Sequence, residues 1–270
     1  MTRGPHSARA TRRALVSLLV FLLVWELGAR SRQWLGVPMP WLGHVPAPSS
    51  VLRAWSGLVG DPGYWSSWLS SLLRVLAGFG AAMLLGIPLG LVLAMSRTVH
   101  AVVFPTLEML RPIPPLAWVP ASIIFWPTQE LSIAFVTFIG AFFTVVINVI
   151  GGARAIDARY FQAAQAMGAS RWNIFRRVVL PATLPAIVVG ASVGMGITWE
   201  VVVAAEMISG GGSNGGGAGG GMGFFIWNSY VGGAYEQIIV GMISIGLAGY
   251  ACSEALRRLG GLATPWLRRA

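Results

Sequence analysis

An all-α membrane protein crossing the bilayer about six times is the fold class this sequence predicts, and three observations predict it. Of 270 residues, 55% are hydrophobic and only 10% charged, against about a quarter charged in soluble domains. Several apolar stretches reach the roughly 18–20 residues that span a bilayer. The arginines gather in alternate gaps between those stretches, as loops on opposite sides of a membrane require.

Residues 1–13 are basic, with Arg3, Arg9, Arg12 and Arg13, and 14–29 are apolar apart from Ser17 and Glu26. A cleaved signal peptide has this outline too. The stretch Leu27-Gly28-Ala29 makes a poor cleavage site, so a retained first helix is expected. Residues 30–65 are polar and rich in Pro and Gly, with short amphipathic pieces on the membrane surface. A long helix is expected over 65–95, a loop over 96–112, and a proline-broken span over 113–126. Clear spans follow at 131–150, 181–205 and 234–256. The charged stretch 151–180 and the loop 206–233, with its Gly-rich run 210–223, separate them. The chain divides into 1–65 (cytoplasmic N-terminus, first span and external segment), 66–260 (a transmembrane domain with a cytoplasmic loop at 151–181) and a cytoplasmic tail at 261–270.

With six spans, fifteen of the nineteen basic residues fall on one side; the other holds Arg30, Arg32, Arg53 and Arg74. The positive-inside rule then places both termini and the 151–180 loop in the cytoplasm of a bacterial plasma membrane.

Every basic residue is Arg. A phosphate-binding loop of the Walker A type needs Lys, so ATP chemistry would reside on another chain. The net charge of +10 does not indicate nucleic acid, because the arginines are dispersed between apolar spans. Cys252 is the only cysteine, and His6, His44 and His100 are scattered, so no metal site and no catalytic residue emerge.

The loop 161–181 carries the functional signal. Ala163, Ala164, Gly168, Leu180 and Pro181 occupy the positions of a Glu-Ala-Ala, three residues, Gly, nine residues, Ile, one residue, Leu-Pro pattern. Gln162 replaces the Glu and Val178 the Ile. The loop resembles the EAA loop of binding-protein-dependent ABC importer permeases. Independently, the alanines favour helix and leave a smooth face for close approach. Gly168 permits a sharp turn, and Trp172 and Phe175 share one face of the second helix as anchors. The bland reading is an amphipathic connector lying on the membrane.

The resemblance covers about 46–260 and is closest to the nitrate/sulfonate/taurine branch. Pro46-Ala47-Pro48-Ser49, the run 71–79, Gly86-Ile87-Pro88-Leu89-Gly90, the run 110–120 and Ala204-Ala205-Glu206-Met207 carry it. It implies a type I ABC importer permease with two ATPase subunits that bind ATP and Mg, a second permease copy forming a homodimer or a pseudo-dimer, and an extracytoplasmic solute-binding protein. Nitrate, sulfonates, taurine, bicarbonate and cyanate stay open as cargo.

Four residues are pathway candidates. Arg111 suits an anion pathway and equally suits positive-inside anchoring. Trp118 suits a pathway lining or an interfacial aromatic. Glu206 fits the family pattern, with a structural hydrogen-bonding role ahead of solute contact. Glu200 is unusual for the branch: it is neutralised, it faces away, or the solute is not a simple anion. The competing function is a stand-alone secondary transporter or channel, for which Glu200 is the one good coupling residue. A membrane-embedded enzyme lacks any His within a span.

Overall fold

A computed structural model describes residues 5–31, 34, 36, 40, 42–209 and 220–268. Helix α1 (Pro5–Ala29) leaves Leu15, Leu19, Phe21 and Leu23 more than half exposed, as a helix solvated by lipid does. Its end is tied to α2 (Pro48–Leu58) by Glu26, which pairs with Arg30 at 2.6 Å and accepts the Ser49 backbone N–H at 3.0 Å. Pro48 opens α2, where its missing N–H costs nothing. Val51 and Leu58 of α2 bury against Tyr64, Met222 and Val240.

Helix α3 (Pro62–Met95) starts at Asp61, whose carboxylate accepts the Gly63 N–H at 2.8 Å. Its 34 residues exceed the bilayer's needs; about 51 Å of helix meets about 30 Å of hydrocarbon. Beside it lies α6 (Gln129–Arg154), capped by Thr128. The two approach closely through small residues spaced by four: Gly78, Ala82, Gly86 and Gly90. A Cβ on Gly78 would stand 2.7 Å from Thr137 Cβ, and one on Gly90 would stand 2.7 Å from Val149 Cβ. The backbones therefore touch where side chains would keep helices apart.

Helix α9 (Leu180–Ser209) packs on the other side of α6, with Gly190 against Asn148 and Gly194 against Ala141. Helix α11 (Tyr235–Ala263) closes the bundle, seating Gly249 on Trp199 and Gly260 on Val188. Trp68, Val75, Val136, Trp199 and Val202 form the central core. Among the described residues, four helical stretches are long and apolar enough to cross a membrane: 62–95, 129–154, 171–208 and 235–263.

Two expected loops are helical. Over 96–112 lies α4 (Arg97–Leu110), capped by Ser96. Its charges and Pro105 obscured Val99, Val103 and Leu107, which pack against Leu93, Val146 and Ile150. The span expected at 113–126 is shorter, a 3₁₀ turn (Pro115–Trp118) followed by α5 (Val119–Phe125). Prolines 112, 114 and 115 stop the hydrogen-bond ladder, so α4 and α5 are separate helices joined by a break. Within 206–233, Glu206 belongs to α9, and α10 (Gly221–Val231) buries Met222 and Ile226. The rest of the Gly-rich run, 210–219, lies outside the described residues.

Candidate functional site

Three places bring polar residues together. The first is the loop between α6 and α9. Asp157 caps α7 (Ala158–Ala166) by accepting the Arg159 N–H at 2.9 Å. Gly168, at φ +74°, then reverses the chain. The Ala169 N–H reaches back to the Ala164 carbonyl at 3.0 Å, closing the helix end. Ser170 caps α8 (Arg171–Ile174) through the Asn173 N–H. A π-helical turn, Phe175–Val179, runs on into α9, with Leu180 and Pro181 half-buried at its start.

Ala164 turns inward and packs with Ile174, Val179, Val149 and Ala153. Gln162 and Ala163 face out, and Gln162 makes no hydrogen bond among the described residues. Trp172 stacks on half-buried Phe175 at 5.5 Å and remains 65% exposed. Two further exposed hydrophobics join it, Tyr160 and Met167, the latter 80% exposed. The sequence reading passed over both because neither belongs to the spacing pattern. Exposed aromatic and Met side chains on a polar loop are what a protein partner covers.

The second place is the break after α4. Arg111 caps that helix in the αR conformation, its N–H bonded to the Leu107 carbonyl at 2.9 Å. It lines a cavity of about 260 Å³ with Ile113, Pro115, Gly140, Thr144, Asn148 and Ile197. Gly140 and Thr144 sit near the middle of the 26-residue α6, which sets the cavity near that helix's midpoint. Arg111 has no ion pair among the described residues. Thr137, Thr183 and Thr198 spend their hydroxyls on the carbonyl four residues back, whereas the Thr144 hydroxyl makes no bond among the described residues. Asn148 Nδ2 donates to the Thr144 carbonyl at 2.8 Å, leaving a second N–H. Arg111, Thr144 and Asn148 thus line one cavity, its remaining wall apolar through Ile139, Phe143 and Ile147; a guanidinium, a hydroxyl and an amide N–H are the donor types oxyanions take. Sequence alone cannot gather them, because Arg111 and Thr144 meet only once the helices pack.

Trp118 lies outside that cavity's lining: its ring packs edge-on to Phe135 at 6.4 Å and its buried indole N–H has no hydrogen-bond partner among the described residues. Glu200 is exposed on α9, and Glu108, which the sequence reading did not single out, is exposed on α4; neither is ion-paired among the described residues.

The third place is a buried charge network. Glu206 is fully buried and accepts from Arg74 Nη1 at 2.9 Å, from the Ser71 hydroxyl at 2.8 Å and from the Gly223 N–H at 2.9 Å. Arg74 also donates to Glu130 through Nε at 2.8 Å and through Nη2, and to the Gly220 carbonyl at 3.2 Å. Ser71 accepts the Met222 N–H at 2.8 Å. The network pins α10 to α3, α6 and α9, which is a structural use for Glu206 and Arg74.

A bundle of long apolar helices joined by short helical connectors is the architecture of a polytopic membrane protein. Residues 86–269 match the family described as binding-protein-dependent transport system inner membrane component, and the chain belongs to it. It is 31% identical over 262 residues to the nitrate import permease protein NrtB of Synechocystis, covering 94% of this chain and 89% of that one. It is 30% identical over 269 residues to the taurine transport system permease protein TauC of Escherichia coli, covering 98% and 92%. Its fold is that of a chain in the inward-facing MetNI methionine ABC transporter, with TM-score 0.62 and 21% identity, covering 76% of this chain and 99% of that one. The protein is therefore a multi-pass inner-membrane permease subunit of an ABC importer, a type I fold whose members work with ATPase and solute-binding partners. The stand-alone transporter reading gives way to this one.

Proposed function

We propose that two copies of this chain form the pathway of an importer for a small oxyanion of the nitrate, sulfonate, taurine or bicarbonate kind. The observation that carries the reading is unpaired Arg111 at the helix break, beside the free donors of Thr144 and Asn148. An exposed arginine beside a cavity on a membrane-spanning helix is costly in hydrocarbon unless it meets a counter-charge in transit. The relatives named for nitrate and taurine support that cargo class.

In this reading the loop at 151–181 faces the cytoplasm with both termini. Taking out of the orientation count Arg74, which is ion-paired within the fold, and Arg111, which lines the cavity, still leaves fourteen arginines against three. ATPase subunits, holding ATP and Mg, seat on Met167, Trp172 and the outer face of α7, including Gln162 and Ala163. This chain contributes no nucleotide site and no catalysis. Its second copy covers the exposed side of the Arg111 cavity, and an extracytoplasmic binding protein delivers the solute.

The test is uptake of labelled nitrate and labelled taurine by cells carrying the whole importer with Arg111→Gln. Uptake should fall at least about tenfold, the loss of one charged hydrogen bond, while the ATPase still co-purifies. Undiminished uptake would remove Arg111 from the pathway.

A further inference from the structure

Three spans end around one cavity. Gly152 stands on the last turn of α6, Pro181 on the first turn of α9, and Trp266 in the 3₁₀ turn (Pro265–Arg268) that follows α11. With Asp157, Tyr160 and Arg177 of the loop between α6 and α9 they line a space of about 590 Å³. Helices of 26, 30 and 29 residues are longer than the roughly 20 residues that cross hydrocarbon, so their ends stand at headgroup level. Leu259 and Leu262, on the last turns of α11, are exposed as residues solvated by lipid are, and Trp266 follows them. Trp and Tyr favour the headgroup level because their rings are apolar at one end and polar at the other. None of these residues lines the Arg111 cavity, and none belongs to the surface on which the ATPase subunits are proposed to seat.

The lining carries one charge of each sign. Arg177 is exposed and has no ion pair among the described residues. Asp157 accepts the Arg159 N–H through Oδ1 at 2.9 Å, and its Oδ2 lies 3.9 Å from Arg159 Nε. That second contact is loose, because the Arg159 side chain is 90% exposed. Asp157 therefore keeps acceptor capacity for a further cation. The Tyr160 hydroxyl makes no hydrogen bond among the described residues. A phosphate diester takes a guanidinium and a phenol hydroxyl, and an ammonium takes a carboxylate. We infer that this cavity holds the headgroup of a zwitterionic phospholipid, its phosphate on Arg177 and Tyr160 and its ammonium on Asp157, with Trp266 as the facing wall. An anionic lipid would use the first half of the site and be repelled by Asp157. Arg154, Arg171 and Arg176 are exposed nearby in sequence and draw anionic lipid without selecting a headgroup, so a response to the ammonium is the signature of this cavity. The bound headgroup ties the end of α11 to the loop 151–181, whatever the cargo.

The experiment offers the permease–ATPase complex in detergent equal amounts of phosphatidylethanolamine and phosphatidylglycerol with identical acyl chains, and counts bound lipids by native mass spectrometry. The unaltered complex should retain the ethanolamine lipid. Asp157→Asn should lower its ratio to the glycerol lipid about fivefold, the scale of one half-exposed ion pair. Asn caps a helix as Asp does, so α7 keeps its start. Arg177→Gln should lower retention of both lipids about fivefold. Arg176→Gln, which removes an exposed charge outside the lining, should change neither. Soluble glycerophosphoethanolamine at the same concentration should displace nothing, since it lacks acyl chains. No retained ethanolamine lipid, an unchanged ratio with Asp157→Asn, undiminished retention with Arg177→Gln, or an equal loss with Arg176→Gln overturns the assignment and leaves a basic surface that attracts lipid in general. Displacement by the soluble headgroup gives the cavity to a soluble ligand, and loss of the ATPase from either lining variant makes it part of the ATPase seat; each of these also overturns the lipid site.

Discussion

The Arg74 guanidinium meets the Glu206 carboxylate at 2.9 Å across 132 residues of sequence, with Glu206 wholly removed from solvent. Removing one member of such a pair strands the other, which costs about 3–5 kcal/mol. Arg74→Ala does this most severely, because it also releases Glu130 and the Gly220 carbonyl. Glu206→Gln keeps the shape and leaves Arg74 its bond to Glu130, so about 1–3 kcal/mol is expected. Glu130 is 62% exposed, and Glu130→Ala should cost no more than about 1 kcal/mol. Thermal unfolding in detergent should rank the three in that order. An Arg74→Ala protein as stable as Glu130→Ala would show that the network does not hold α10 in place.

The contact of α3 with α6 makes a second prediction. Gly90 leaves no room for a side chain against Val149, so Gly90→Leu must push the helices apart. Overpacking of this kind costs about 1–3 kcal/mol. Gly80 lies on the same helix with nothing within 4 Å of its would-be Cβ, so Gly80→Leu is the matched control. Recovery of folded protein after solubilisation should drop for Gly90→Leu alone; equal recovery of both would deny the close approach.

The four long spans were legible because each is an apolar run with few charges, a signal that survives without tertiary context. Helix α4 was not, since Arg97, His100, Glu108 and Arg111 give it a loop's composition while its inward stripe of Val99, Val103 and Leu107 is narrow. Helix α10 hid behind glycine, and its order depends on Glu206 and Ser71 reaching it from far along the chain. The loop 161–181 was readable from spacing, yet spacing treats its alanines alike, whereas Ala164 supports the loop from within and Ala163 faces out. Arg111 was visible as a charge beside a span. Thr144 and Asn148, which line the same cavity, come from a different helix and needed the packing of α4 on α6.

At the cytoplasmic loop the prediction separates shape from surface. Gly168 sits at φ +74° with free space around it, so Gly168→Ala suffers only backbone strain, about 1–2 kcal/mol. Trp172→Ala and Met167→Asp leave the backbone alone and remove exposed apolar surface. A loop that docks an ATPase should lose capture of that subunit on pull-down with Met167→Asp plus Trp172→Ala, while the permease itself unfolds at its usual temperature. Full capture by the double variant would move the docking surface elsewhere.

The Thr144 hydroxyl is the most discriminating probe of the Arg111 cavity, because it is the one threonine hydroxyl named above that its own helix does not use. Thr144→Val preserves volume and removes a donor. If the hydroxyl serves only the fold, the change should be neutral or stabilising, since no protein bond is lost. If it serves an oxyanion in transit, stability stays level while the solute concentration for half-maximal uptake rises. About 1.5 kcal/mol for one hydrogen bond to a charged group corresponds to roughly a tenfold rise. Thr198→Val is the counterpart: its hydroxyl bonds the Gly194 carbonyl at 2.7 Å in the buried core, so a change in stability without a change in half-saturation is expected. Uptake titrations and unfolding curves on the two variants should therefore move in opposite columns; identical behaviour would take Thr144 out of the pathway.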